Sequence, residues 1–204
     1  HDAGVYPYCF GQFYAIFNKN EKYQKNITYL NFDTGVLPRY YIYPKGQNIY
    51  NFAKQMPVEE CGNMLIMMAN IAILEQSTEF CDKYYFILDK WVEYLIKFGK
   101  DPENQLCTDD FAGHLAHNCN LSLKAIMGIA GYAKILLAKG DDQRAYKLMN
   151  TAKEMAESFV KRAANEDGSF RLAYDRPDTF SMKYNIVWDK LWGTKLFAPS
   201  MKYS

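Results

Sequence analysis

Apolar helical stretches open near residues 57, 117 and 183, about sixty residues apart, and the first two are each followed by a more amphipathic one. Alternation at a fixed period builds successive hairpins, with the apolar helices packed inside and the amphipathic ones wrapped around them. The first stretch has Pro57 at an initial helical position, Glu59 and Glu60 at the positive end of the dipole, and Met64, Leu65, Met68, Ile71 and Ala72 at helical spacing. A second helix is expected over residues 79–98, with Phe86, Leu88, Trp91, Leu95 and Phe98 as its apolar stripe and Gly99 and Asp101-Pro102 as its stop. The third runs from near His117 or Leu121 to Ala138, rich in Ala, Gly, Ile and Leu, and reads as buried all round. Asp141-Asp142 caps a fourth, over 143–164, whose charged face (Arg144, Lys147, Lys153, Glu154, Lys161) opposes Ala145, Leu148, Met149, Ala152 and Phe159. A short helix beginning near Ser181 includes residues 184–192. The expected fold class is all-α, a partial (α/α) toroid of helical hairpins, in which the loops entering the inner helices gather at one mouth.

Residues 1–56 break the pattern. They are aromatic-rich, carry Pro7, Pro38 and Pro44 with Gly4, Gly11, Gly35 and Gly46, and sustain no helical period. Loops and short extended pieces are expected there, with residues 27–32 and 39–43 β-prone around Asp33-Thr34-Gly35. The whole of 1–204 reads as one domain, the C-terminal part of the toroid, with 57–204 forming its hairpins.

At 204 residues and 49% hydrophobic content the chain can bury a sizeable core, and a formal charge of +1 gives no bias toward polyanions. No nucleic-acid partner is expected. No run approaches the roughly twenty apolar residues that span a bilayer; the richest window, 64–74, is about half that length and contains Asn70, so no membrane partner is expected either. The five cysteines (Cys9, Cys61, Cys81, Cys107, Cys119) form no CxxC pair and no zinc-like spacing, which argues against a structural metal.

Polar residues crowd at four places, all at or just before inner-helix starts: His1-Asp2-Ala3-Gly4, the run 57–63 with Glu59, Glu60 and Asn63, the run 108–118 with Asp109, Asp110, His114, His117 and Asn118, and the run 181–190 with Lys183 and Tyr184. In the third run the acids and imidazoles alternate with Phe, Ala, Gly and Leu instead of Lys or Ser, so they are expected to face a shared cleft.

These segments resemble, in order, the secreted glutaminase A family, whose catalytic domain is built of six helical hairpins. The resemblance rests on PVEECGNMLIM (57–67), DPENQLCTDDFAGHLAHNCNLSLKAIMGIAGYAK (101–134) and SMKYNIVWDKLWG (181–193), with the weaker HDAGVYP (1–7). A complete six-hairpin ring needs about twelve helices and five are legible, so the resemblance implies a piece of a longer polypeptide, with the remainder of that chain as its partner. It also implies secretion, and hydrolysis of the glutamine side-chain amide as the activity. In a secreted chain Asn26, in Asn26-Ile27-Thr28, is a glycosylation acceptor, whereas Asn120-Leu121-Ser122 lies within the suspected site. Cys107 and Cys119 stand where the family more usually carries a small hydroxyl residue, and a disulfide between them is the expectation to test.

Amide hydrolysis wants one carboxyl as acid and another as base, and Glu59, Glu60, Asp109 and Asp110 supply the candidates. Adjacent acids on one helix point about 100° apart, so one of each pair faces the centre, and Glu60 and Asp110 are favoured. Simple N-terminal capping is the bland alternative for all four. His1, Asp2, Asn63, His114, His117, Asn118, Lys183 and Tyr184 are the candidate substrate-binding residues, Lys183 as the holder of a substrate carboxylate and otherwise a snorkelling surface lysine. His114 and His117, three apart, would share a helix face, but without an HExxH motif neutral imidazoles are favoured over a metal site, and no cofactor is expected. A thiol nucleophile at Cys107 or Cys119 is disfavoured because both depart from the family pattern. The expected partner is a small molecule. A sugar suits such a cleft as well as glutamine, making a glycoside hydrolase the runner-up, and a non-catalytic module that retains the family shape is the third reading.

Overall fold

The computed structural model describes residues 56–105, 107 and 115–202, and among these it is all helix and loop, without a strand. Helix α1 spans Pro57–Glu75, α2 Glu79–Asp82, α3 Tyr85–Phe98, α4 Cys119–Lys139, α5 Asp142–Ala163 and α6 Val187–Trp192. A 3₁₀ turn, Tyr184–Ile186, leads into α6, and another, Pro199–Lys202, follows it. The expectations for residues 1–55, including the β-prone pair, lie outside the described residues.

The helix ends obey their local chemistry. Pro57 opens α1 without needing a hydrogen-bond partner, and the next orphan donor, Val58 N, is taken by the side-chain oxygen of Gln105 at 3.0 Å. Asn118 caps α4 by accepting from Leu121 N at 3.0 Å, and Gly140 ends it at φ 88°, a conformation that suits a residue without Cβ. Asp141 caps α5 by accepting from Arg144 N.

The expected single helix over 79–98 is in fact two. Tyr84 N bonds back three residues to Cys81 O at 2.9 Å, tightening the chain at Lys83 and Tyr84. The break lets Cys81 and Tyr84 both bury, with Cys81 Sγ donating to Met68 O of α1.

Helix α4 is the centre of the molecule. It packs most extensively on α1 and α5, with α3 against the α1–α4 pair. Every residue from Cys119 to Ala133 is buried. This corrects one expectation: over 21 residues α4 is long and apolar enough to cross a membrane by length and composition, yet 83% of its most apolar window is buried inside the protein, as in a core helix. Close crossing needs small residues. A Cβ on Gly128 would sit 3.0 Å from Gly62 Cα, so α1 and α4 touch backbone to backbone at this pair. Helix α5 buries Ala145, Leu148, Ala152, Met155, Ala156 and Phe159 on one face and exposes its charges on the other, as expected of an outer helix.

After α5 the chain returns to the start of α4: Cys119 N donates to Leu172 O at 3.0 Å and Tyr174 N to His117 O at 3.0 Å. Phe170 stacks on Phe159 there. The Tyr184–Ile186 turn is pinned to the same end of α4, and α6 is tied to the middle of α1 by the Trp192 indole donating to Asn70 Oδ1 at 2.9 Å. The openings of three expected inner helices therefore lie side by side.

Candidate active site

Glu59 and Asn63 lie one turn apart on α1, so their side chains share a face. Opposite them is Lys124 of α4, and its ammonium donates to Asn63 Oδ1 at 2.6 Å and stands 3.9 Å from Glu59 Oε1. All three are buried, at 3%, 2% and 5% exposure. The Tyr184 ring centroid is 6.0 Å from the ammonium, and this tyrosine is 42% exposed, so it marks the solvent side of the cluster. Asn185 beside it is buried and donates to Asn120 Oδ1 at 2.9 Å, fixing the 3₁₀ turn against α4 one helical turn before Lys124. A carboxylate, an ammonium, amides and a phenol from three helix starts thus meet in one place.

Lys124 reaches that place because α1 has a gap at Gly62. A Cβ there would come within 2.5 Å of Lys124 Cγ and 3.1 Å of its carbonyl oxygen. The stem of the lysine fills the groove that the missing side chain leaves, and only the ammonium emerges at Glu59 and Asn63.

The expected residues divide into three groups. Glu59, Asn63 and Tyr184 come together. Glu60 is equally buried, at 3%, but the Lys124–Asn63 face belongs to Glu59, the member of the pair not favoured from sequence. His1, Asp2, Asn26, Asp109, Asp110 and His114 lie outside the described residues.

His117, Asn118 and Lys183 are engaged elsewhere. His117 adopts φ 62° before the Asn118 cap, so helix α4 starts after it and His117 is not on the helix that the expected shared face required. Its imidazole Nδ1 meets Asp101 Oδ1 at 2.7 Å, and Asp101 Oδ2 accepts from Arg162 at 2.6 Å. Partial burial pushes the Asp101 carboxyl up, but hydrogen bonds from His117 and Arg162 outweigh it and hold the group below its ordinary range. Asn118 spends its oxygen on the cap and turns its amide to Cys107 Sγ at 3.8 Å. Lys183 Nζ donates to Met201 O at 3.2 Å and lies 4.8 Å from the Phe170 ring centroid. Burial lowers its ammonium below the usual lysine range.

The cysteine expectations also resolve. Cys107 and Cys119 are both buried thiols, and the expected disulfide is not formed. Cys107 meets the Asn118 amide, while Cys119 lies within the electrostatic reach of Arg162 and Arg171 on the α5 side. Burial pushes the Cys119 thiol up to about 12, and burial followed by the Glu60 charge pushes Cys61 well above its ordinary range. Neither is poised as a thiolate nucleophile.

Asp189, from the fourth polar run, has no exposed surface and serves the fold. Its carboxylate accepts from the Thr194 hydroxyl at 2.5 Å, Leu196 N at 2.8 Å and Phe197 N at 3.4 Å, closing the loop after α6. Sequence reading missed Lys124, Gln105 and Asn185. The signal for Lys124 was a charged residue inside an otherwise apolar helical stretch, one turn after Asn120.

The glutaminase A six helical-hairpin domain matches residues 1–203. Glutaminase A of Aspergillus oryzae is 34% identical over 187 residues, covering 90% of this chain and 26% of that protein. A protein of Arthroderma benhamiae named "Probable glutaminase" is 35% identical over 116 residues, 55% of this chain and 13% of its own length. The chain thus spans about a quarter or less of the curated relatives it matches. No solved structure matches it. With the family pattern running the length of the sequence and a helical architecture to match, the chain belongs to the glutaminase A six helical-hairpin domain family.

Proposed function

We propose that this chain is part of a secreted glutaminase A-type hydrolase that releases ammonia from the glutamine side-chain amide. One observation carries the proposal beyond the family: Glu59, buried beside the Lys124 ammonium and one turn from Asn63, lies at a junction of helix starts that opens to solvent at Tyr184. A hydrolytic site needs a carboxylate held in a partly dry place with a path for substrate and water.

In this reading one carboxylate takes a proton from water as the oxygen attacks the amide carbon, and a second carboxyl gives a proton to the departing nitrogen as the C–N bond breaks. Glu59 is assigned the base. The acid comes from Glu60, Asp109 or Asp110. Asn63 and Tyr184 contact the substrate, and the site lies in the mouth of an α/α toroid completed by the rest of the polypeptide. Glycosylation at Asn26 belongs to the same secreted reading.

The test is ammonia release from glutamine by the full-length protein, run beside asparagine and a panel of chromogenic glycosides. Glutamine turnover that disappears in Glu59→Gln supports the assignment. Turnover of a glycoside without ammonia release replaces it with the sugar-hydrolase reading, and turnover of neither points to a non-catalytic module.

A further inference from the structure

Among the described residues Lys124 is the only lysine or arginine buried in the fold. Taking an ammonium out of water costs several kcal/mol unless the surroundings return it, and Met at the same position would fill the groove beside Gly62 without that penalty. What Met would not supply is direction. The ammonium is held on one side by a 2.6 Å bond to the Asn63 oxygen, from a residue 61 positions away, and its charge lies 3.9 Å from the Glu59 carboxylate. Asn185, bonded to Asn120, fixes the end of α4 that carries it. Lys124 is therefore set by two other chain segments, α1 and the 184–186 turn, and its ammonium is one of the groups that hold Glu59.

We propose that Lys124 is a positioning residue for catalysis: its ammonium fixes the Glu59 carboxylate relative to the Asn63 amide, so that the carboxylate meets the water or amide of a substrate bound on the Tyr184 side. The proposal rests on the reading of Glu59 as the base in amide hydrolysis. Lys124 does not touch the reacting atoms. Its removal takes away one of the groups that orient the carboxylate, and a misplacement of about 1 Å at a catalytic group can cost about a hundredfold in rate.

The experiment compares wild type, Glu59→Gln, Lys124→Met, Lys124→Arg and the Glu59→Gln/Lys124→Met double variant, all as full-length protein. Turnover, KM for glutamine and melting temperature are read for each, with kinetics well below the lowest melting point. Lys124→Met should lower kcat by about 100-fold while KM stays within about threefold, and the double variant should be no slower than Glu59→Gln alone. Should Lys124→Met fail to fold, Lys124→Arg carries the test: it keeps the charge but presents a planar fork, and should lower kcat by about tenfold with little change in KM. Wild-type kcat in the folded lysine variant, whatever its melting temperature, overturns the proposal, as do losses that multiply in the double variant. If wild type releases no ammonia, or Glu59→Gln keeps full activity, the functional reading falls and this proposal with it. If Glu59→Gln is inactive and the lysine variants are not, the positioning role falls alone.

Discussion

Gly62 and Lys124 occupy one space between them: the lysine stem runs where a side chain on residue 62 would have to go, with only 2.5 Å between Lys124 Cγ and the position of a Cβ. Gly62→Ala gains about 1 kcal/mol of helix propensity and loses more to overpacking, because the Lys124 carbonyl, which is backbone, also stands at 3.1 Å. A net destabilisation of about 1–2 kcal/mol is expected by denaturant titration. Turnover should fall with it, since the ammonium is displaced from Glu59. An unchanged midpoint would mean that α1 and α4 separate without penalty.

Glu59→Gln in the full-length protein should lower kcat by about 10²–10⁴-fold. It should also lower stability by about 2–3 kcal/mol, since it removes a carboxylate charge from beside the buried Lys124 ammonium. Thermal melting beside steady-state ammonia release reads both. A variant as active as wild type rules Glu59 out as the base.

The Asp101 pair on the surface gives a pH dependence of known sign. Its folded carboxyl is held below the unfolded value of about 3.9, so the stabilisation is present above that pH and fades as pH falls through the folded value. The side chain is 41% exposed, which limits the contribution to under about 1 kcal/mol. Wild type should exceed Asp101→Asn in stability at pH 7, and the gap should narrow progressively as the pH falls below the unfolded carboxyl value of about 3.9 in urea titrations. A gap that widens on acidification contradicts the sign.

Asp189→Ala should cost about 2–3 kcal/mol, because the Thr194 hydroxyl and the Leu196 and Phe197 amides lose their acceptor together. Tryptophan fluorescence during unfolding reads this directly, since Trp188 and Trp192 flank the carboxylate in α6. A loss below about 0.5 kcal/mol would show that water replaces the acceptor.

Thiol mapping tests the cysteines. Cys119 at about 12 and Cys81 at about 11 carry almost no thiolate at neutral pH, so native alkylation of both should be slow and should become rapid in denaturant. Non-reducing peptide maps should show no Cys107–Cys119 link. Finding that link would restore the bridge expected from sequence.

What could be read from sequence was whatever a few neighbouring residues decide. The Asp141 cap, the Gly140 stop and the buried character of α4 are local chemistry, and the helices follow. The all-α architecture follows from the same period. His117 was misjudged because a three-residue spacing implies a common face only if the helix already exists, and here it begins two residues later with His117 at φ 62°. Lys124 was missed because its value lies in partners on another helix, while a lysine taken alone reads as a solvated one. The α2–α3 break is of the same kind, set by the burial of Cys81 against α1.

Gln105 binds Val58 through the amide that precedes Glu59, and so it ties the segment approaching residues 108–114 to the very turn on which the proposed base is mounted. A shift of that strap reaches the turn that carries the carboxylate through this 3.0 Å bond. A glutamine outside the Glu59–Lys124–Asn63 cluster can therefore behave, under selection or in a mutational scan, as though it belonged to the chemistry.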